Sequence, residues 1–238
     1  MRRTLVASLA TVVLVACSGA AEQPILNQLF TASRLHDTTT LNGFSMVELD
    51  PQKQGSVLNF AITSVTPESR KPLVLKSLAK TYEDAKAEDA AFNKRNDEYA
   101  QQNVEAVTRV AKAGRDAKLK GQDAEVQATW FRMLDEGRDL SRKVSDAKRR
   151  LSSESAVAEM SVADPRNPVD VTKLEGDIES KEATVDANVR LPGGQTTRKN
   201  YVVTMQRALL KGPKGDITGR WIVTAMKEAA ATGATKTS

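Results

Sequence analysis

The run Val185-Asp186-Ala187-Asn188-Val189-Arg190-Leu191, followed by Pro192-Gly193-Gly194-Gln195, decides how the last third of this sequence folds. Val185, Ala187, Val189 and Leu191 recur at every second position, with Asp186, Asn188 and Arg190 between them, so the segment reads as a strand with one buried face. Proline and two glycines then break it, in the manner of a hairpin loop. That loop lacks the spacing and the lysine of a phosphate-binding loop. Further strand-like segments at 198–210 and 217–227 flank a second turn, Gly212-Pro213-Lys214-Gly215-Asp216. With the first at 174–191, they predict an antiparallel meander. Tyr201, Val203, Met205, Trp221 and Val223 are expected to line its concave face, as core or as the wall of a small apolar pocket.

Upstream, Ala163-Asp164-Pro165-Arg166-Asn167-Pro168 reads as a linker, and before it the composition changes. Residues 73–155 hold no proline and are rich in Ala, Lys, Arg, Glu, Asp and Gln. Steps of three and four give one seam from Leu75 through Tyr82, Phe92 and Tyr99 to Val110, and another from Val126 through Trp130, Leu140 and Val144 to Leu151. Gly121 can end one helix and Asp123 can cap the next. The reading is an antiparallel helical hairpin over 72–156 with its tip near Gly121 and a shorter second arm of roughly 45 Å. A single continuous helix that dimerises is the rival. The seam is thin, because Asp89, Asn96 and Asn103 are polar and Gly137 brings no side chain. Arg109, Lys112, Arg115, Lys118 and Lys120 make the tip basic, either as a solvated surface or as a contact for an acidic partner. Trp130 and Phe131 are adjacent and cannot both point inward, so one is an exposed contact anchor or packs on the facing arm.

Toward the N-terminus, 57–65 carries apolar residues on both faces and predicts a strand covered on both sides, closed by Thr66-Pro67 and Lys71-Pro72. Ile25, Leu26, Leu29, Phe30 and Leu35 follow Pro24 at helical spacing to about His36. His36 is the sole histidine, which excludes a multi-histidine metal site; beside Asp37 it reads as a helix-end capping and turn pair. The expected fold class is α+β, an N-terminal helix packed on a curved antiparallel sheet, with the hairpin between the first strand and the meander.

The first residues speak to location. Arg2 and Arg3 precede an apolar run, 5–16, broken only by Ser8 and Thr11, the layout of an export signal and too short for a membrane span of about 20 residues. Leu14-Val15-Ala16-Cys17 resembles the lipobox of bacterial lipoproteins. The resemblance implies a lipidated Cys17 as the first residue of the mature chain; the alternative is an ordinary signal peptide cut near Ala20 or Ala21. The expected division is a signal peptide at 1–16, a lipidated tether at 17–23, the first part of an α+β domain at 24–71, the hairpin at 72–156, the second part at 157–228 and a frayed tail at 229–238. Cys17 is the only cysteine among 238 residues, so no internal disulfide is expected. The formal charge is +5, or +3 without Arg2 and Arg3, too small an excess to argue for nucleic acid. No cofactor or metal is expected. The expected partners are a bilayer, through the lipid, and an envelope protein or polymer; the oligomeric state stays open.

The helix, the strand and the closing meander with Gly219-Arg220-Trp221-Ile222-Val223 are similar to the cystatin-like architecture of NTF2-like domains. That resemblance implies a cone-shaped sheet around a helix. Family members with isomerase activity would require a carboxylate and a tyrosine, for which Tyr201 with Asp37 or Glu48 are the candidates. The function expected is that of a lipid-anchored, non-enzymatic binding or scaffold protein of the cell envelope, facing the periplasm from the outer membrane in a Gram-negative cell. A small-ligand carrier or enzyme using the cone, or a holdase chaperone, is the alternative.

Overall fold

The computed structural model describes residues 21–229. The expected signal peptide, Cys17 and residues 230–238 lie outside the described residues. Among the described residues the fold is α+β, with six α-helices and an antiparallel sheet curled into a half-barrel. The chain divides into two compact units: one holds the chain up to Arg70, Glu179–Arg207 and the chain from Arg220, the other Lys71–Ile178 and Ala208–Gly219.

In the first unit, helix α1 (Gln23–Arg34) carries proline in its first turn and buries Leu26, Leu29 and Phe30 along one stripe. It ends in a Schellman turn. Asp37 N–H donates to Ala32 O at 2.9 Å and His36 N–H to Ser33 O at 3.0 Å, with His36 left-handed at φ 54°, a position usually filled by glycine. Asp37 then caps α2 (Thr38–Phe44), accepting from Thr40 N–H at 2.9 Å. Asp50 caps the single turn α3 (Pro51–Gln54) in the same way. Strand β1 (Ser56–Val65) pairs antiparallel with β3 (Glu175–Arg190), and the register slips after Val57 and after Ile62. Such bulges bend a strand and increase its twist. β3 neighbours β4 (Thr196–Gly212), which pairs antiparallel with β6 (Ile222–Glu228) through Tyr201 opposite Glu228.

β1 is not covered on both sides. It ends the strand order, and Asn59, Ala61 and Thr63 face solvent, while Phe60 meets Phe30 of α1 edge-on at 5.0 Å. The segment expected only to close that strand, Ser69–Pro72, is itself a strand, β2, paired with β3.

In the second unit, α4 (Leu75–Gln102) breaks at Asn103 and resumes as α5 (Val104–Ala113). Gly114 ends α5 at φ 85°, and α6 (Gln122–Val162) returns. Lys143 pairs with Glu88, Arg95 with Glu136 and Arg109 with Asp123; partner numbers fall as the first arm's rise, so the directions are opposed. Two expectations fail here. α6, at 41 residues, is longer than either helix it packs on. Its capping position is held by Gly121, not Asp123, which sits in the first turn.

The helical unit also claims chain expected elsewhere. Leu75, Ala158, Val171, Ala208 and Leu210 form one buried cluster, so 157–178 and 208–219 belong with the helices. The third meander segment is split as well. β5 (Gly215–Thr218) pairs with β4 through Leu210 opposite Ile217, and the strand stops where Gly219 N–H turns to Ala208 O at 2.8 Å.

Candidate functional site

Alternation along β3 sends its odd-numbered side chains inward. Ala183, Val185, Ala187 and Val189 are buried there, but so are Glu179 and Lys181, at 1% and 8% exposure. A buried charge costs several kcal/mol unless it is paired and hydrogen-bonded. Both are. Glu179 Oε1 accepts from Arg70 Nε at 2.9 Å, and its Oε2 accepts from Arg207 Nε at 2.6 Å and lies 2.5 Å from Arg207 Nη2. Burial alone would push the Glu179 carboxyl up, but the Arg207 and Arg70 guanidiniums together hold it below the usual carboxylate range.

Lys181 Nζ lies 2.8 Å from Glu22 Oε1 and 3.5 Å from Glu68 Oε1. The half-buried Trp221 joins the two halves of this network: Lys181 Nζ stands 4.1 Å, and Arg207 Cζ 4.5 Å, from its ring centroid, within cation–π range. Glu22 is 4% exposed, and its Oε2 has no hydrogen-bond partner among the described residues. An open cleft of about 500 Å³ lies beside the network, walled by Glu22, Pro24, Phe44, Lys181, Met205 and Trp221.

Of the five residues expected on the concave face, as core or as a pocket wall, Tyr201, Val203, Met205 and Val223 are buried and Trp221 is half-buried, and the five line no common pocket. Val203 and Val223 are fully buried core; alternation on β4 places Val203 there, while on β6 the adjacent Ile222 and Val223 are both buried. Met205 and Trp221 border the cleft just described. Tyr201 borders another, of about 450 Å³, with Glu48, Lys53, Lys199 and Glu228. There burial pushes the Tyr201 phenol up, and Glu228, 2.8 Å from Lys199 Nζ, holds that ammonium above its ordinary value. Of the two candidate carboxylates, Glu48 reaches the Tyr201 cleft. Asp37 does not border it: its side chain caps α2, and the hydrogen bonds from Thr40 lower its carboxyl. His36 occupies the turn after α1.

At the tip of the helical unit the expected basic surface is partly consumed. Arg109 reaches both Asp123 oxygens at 3.0 and 2.8 Å, and Arg115 both Asp135 oxygens at 3.0 and 2.7 Å. Arg115 also lies over the Phe131 ring at 5.0 Å. These arginines therefore brace the unit, with side chains still 56% and 50% exposed. Trp130 is no exposed anchor: it and Phe131 are half-buried against Ala106, Val110 and Val126. Gln127 Nε2 donates to the carbonyls of Gly114, Arg115 and Ala117 at 2.9, 3.2 and 2.9 Å, which fixes the loop. Lys112, Lys118 and Lys120 remain exposed, with no ion pair among the described residues.

The Glu179–Lys181–Trp221 network was missed from sequence. The available signal was that 179 and 181 share the parity of the apolar 183–189 positions. Among the described residues, no helix is long and apolar enough to cross a membrane and no cluster of three His, Cys, Asp or Glu could hold a metal. Compared with protein families, with curated proteins and with solved structures, the chain matches none.

Proposed function

We propose that this protein is a lipid-anchored binding or scaffold module of the bacterial cell envelope, without enzymatic activity, that presents the tip of its helical unit to an acidic protein or polymer. The anchor follows from Leu14-Val15-Ala16-Cys17. In this reading the first unit is an NTF2-like domain, supported by α1 beside the curled sheet, and the α4–α6 helices are a hairpin inserted between β2 and β3.

The observation that carries the binding role is the set of lysines left over at the tip. Arg109 and Arg115 are spent on Asp123 and Asp135, while Lys112 projects from the last turn of α5 and Lys118 and Lys120 from the following loop, which Gln127 holds in one shape. Ammonium groups displayed on an ordered loop favour an anionic surface. Crosslinking in the native envelope, with mass-spectrometric identification of neighbours, tests this. Replacing the three lysines by glutamate should abolish the crosslinked neighbour and leave the helical circular dichroism unchanged. An unchanged neighbour would refute the tip as the contact.

A second reading has its own observation. Tyr201 is more than nine-tenths buried and borders a cleft of about 450 Å³, and in this reading its hydroxyl meets a small ligand with an acceptor oxygen. A bound small molecule in the purified protein, lost on Tyr201→Phe, would decide for it.

A further inference from the structure

We infer that the Trp221 cleft of the first unit is held against the lipid head groups of the bilayer, an inference that rests on the lipidation of Cys17 proposed above. Five residues lie between the Cα atoms of Cys17 and Glu22, counting the latter, and a fully extended chain spans at most about 3.3–3.6 Å per residue. No conformation of that segment can place the lipidated residue more than roughly 18 Å from Glu22.

Glu22 is itself fixed. Its carbonyl accepts from Leu26 N–H at 3.1 Å at the start of α1, its side chain is buried, and its Oε1 is bound to Lys181 Nζ at 2.8 Å. Lys181 in turn stands 4.1 Å from the centre of the Trp221 ring. A short tether, a buried ion pair and a cation–π contact therefore connect the acyl chains to Trp221 without a flexible joint beyond Glu22.

The cleft suits that position. Pro24, Ile25, Phe44 and Trp221 give it an apolar wall, and Arg220, whose Nη2 donates to Gly43 O at 2.6 Å, borders it as well, with Lys181 buried and paired to Glu22. Tryptophan, with an apolar body and a polar tip, and arginine, with an apolar stem and a charged head, both suit the boundary between hydrocarbon and water. The partner is thus a bilayer surface, apolar below and phosphate-bearing above, presented to the cleft by the protein's own anchor.

The test uses the full lipidated protein in phosphatidylcholine vesicles containing dansyl-labelled phosphatidylethanolamine. Trp130→Phe leaves Trp221 as the only tryptophan, since the chain has two; the difference between the unmodified chain and Trp221→Phe isolates the same signal should Trp130→Phe fold poorly. Trp221 emission should be lost to the acceptor with the natural tether. It should recover when about 20 Gly and Ser residues, adding roughly 25 Å of average reach, are inserted after Ser18. Equal Trp221 emission with the two tethers, both chains floating with the vesicles, would overturn the placement of the cleft and leave the anchor standing. A chain that does not float and has the mass of bare polypeptide would overturn the anchor, and this inference with it.

Discussion

Glu179 in the first unit is 1% exposed and meets Arg207 and Arg70 at 2.5 and 2.9 Å; Glu136 in the second meets Arg95 at 3.0 Å with the two side chains 44% and 65% exposed. The same chemical pair serves different ends. On the sheet, charge occupies positions that alternation assigns to the core, where it is tolerated only because it is paired and hydrogen-bonded. On the helices, charge flanks a seam whose buried members include Ala85, Ala106 and Ala147, and the cross-arm pairs set register while water screens them. The first unit therefore holds its charges in one arrangement beside a cleft, and the second keeps a charged, solvated surface.

The comparison breaks most visibly at Glu179. Glu179→Ala leaves Arg207 beside Trp221 with only the longer Glu68 contact, at 3.8 Å, and should cost about 3–5 kcal/mol, read as a lower urea midpoint. If the loss is under about 1 kcal/mol, the network is no more than a surface feature. Next in size is Phe92, 3% exposed on the helical seam: Phe92→Ala should cost about 3 kcal/mol in the same measurement. A smaller effect sits opposite it. A methyl on Gly137 would come within 2.8 Å of Phe92 Cε1, so Gly137→Ala forces the ring to shift and should cost about 1–3 kcal/mol. Smallest is Glu136→Ala, which removes an exposed pair and should change stability by less than about 1 kcal/mol, with the difference vanishing in high salt.

Acid titration sharpens the same contrast. Because the folded state depresses the Glu179 carboxyl, it contributes stability above the ordinary glutamate value of about 4.3, and that contribution is lost as pH falls through the depressed folded value. Urea midpoints of the natural chain should thus drop between weakly acidic and strongly acidic solution more steeply than those of Glu179→Gln. Parallel curves for the two proteins would show that Glu179 titrates as it does unfolded.

Much of this architecture is legible in the residues. Val185 to Val189 alternate strictly and the Pro192-Gly193-Gly194 turn is unambiguous, so β3 and β4 were expected close to where they lie. The stripe Leu26, Leu29, Phe30 marks α1. β2 left no trace because Ser69, Arg70, Lys71 and Pro72 are all exposed and carry no apolar alternation. The break at Asn103 has neither glycine nor proline to announce it. The division of the meander between two units was hidden in parity: β4 buries Tyr201, Val203 and Met205 in the first unit but Ala208 and Leu210 in the second, a change from odd to even that a single-face reading cannot register.

The network around Trp221 was hidden for a related reason. Glu179, Lys181 and Glu182 look like a solvated run when read consecutively, and only their partners on Arg70, Arg207 and Glu22, each far away in sequence, make the first two buried. At the helical tip the basic composition is legible in the residues, but not which cations are paired, since Asp123 and Asp135 find Arg109 and Arg115 only once the helices pack.

The most direct test of the central claim is the intact mass of the protein extracted with detergent from its own cells. The account predicts a chain that begins at Cys17 and is heavier than its polypeptide by a thioether-linked diacylglyceryl group and an amide-linked acyl chain. A species of bare polypeptide mass, released by aqueous buffer alone, would contradict it.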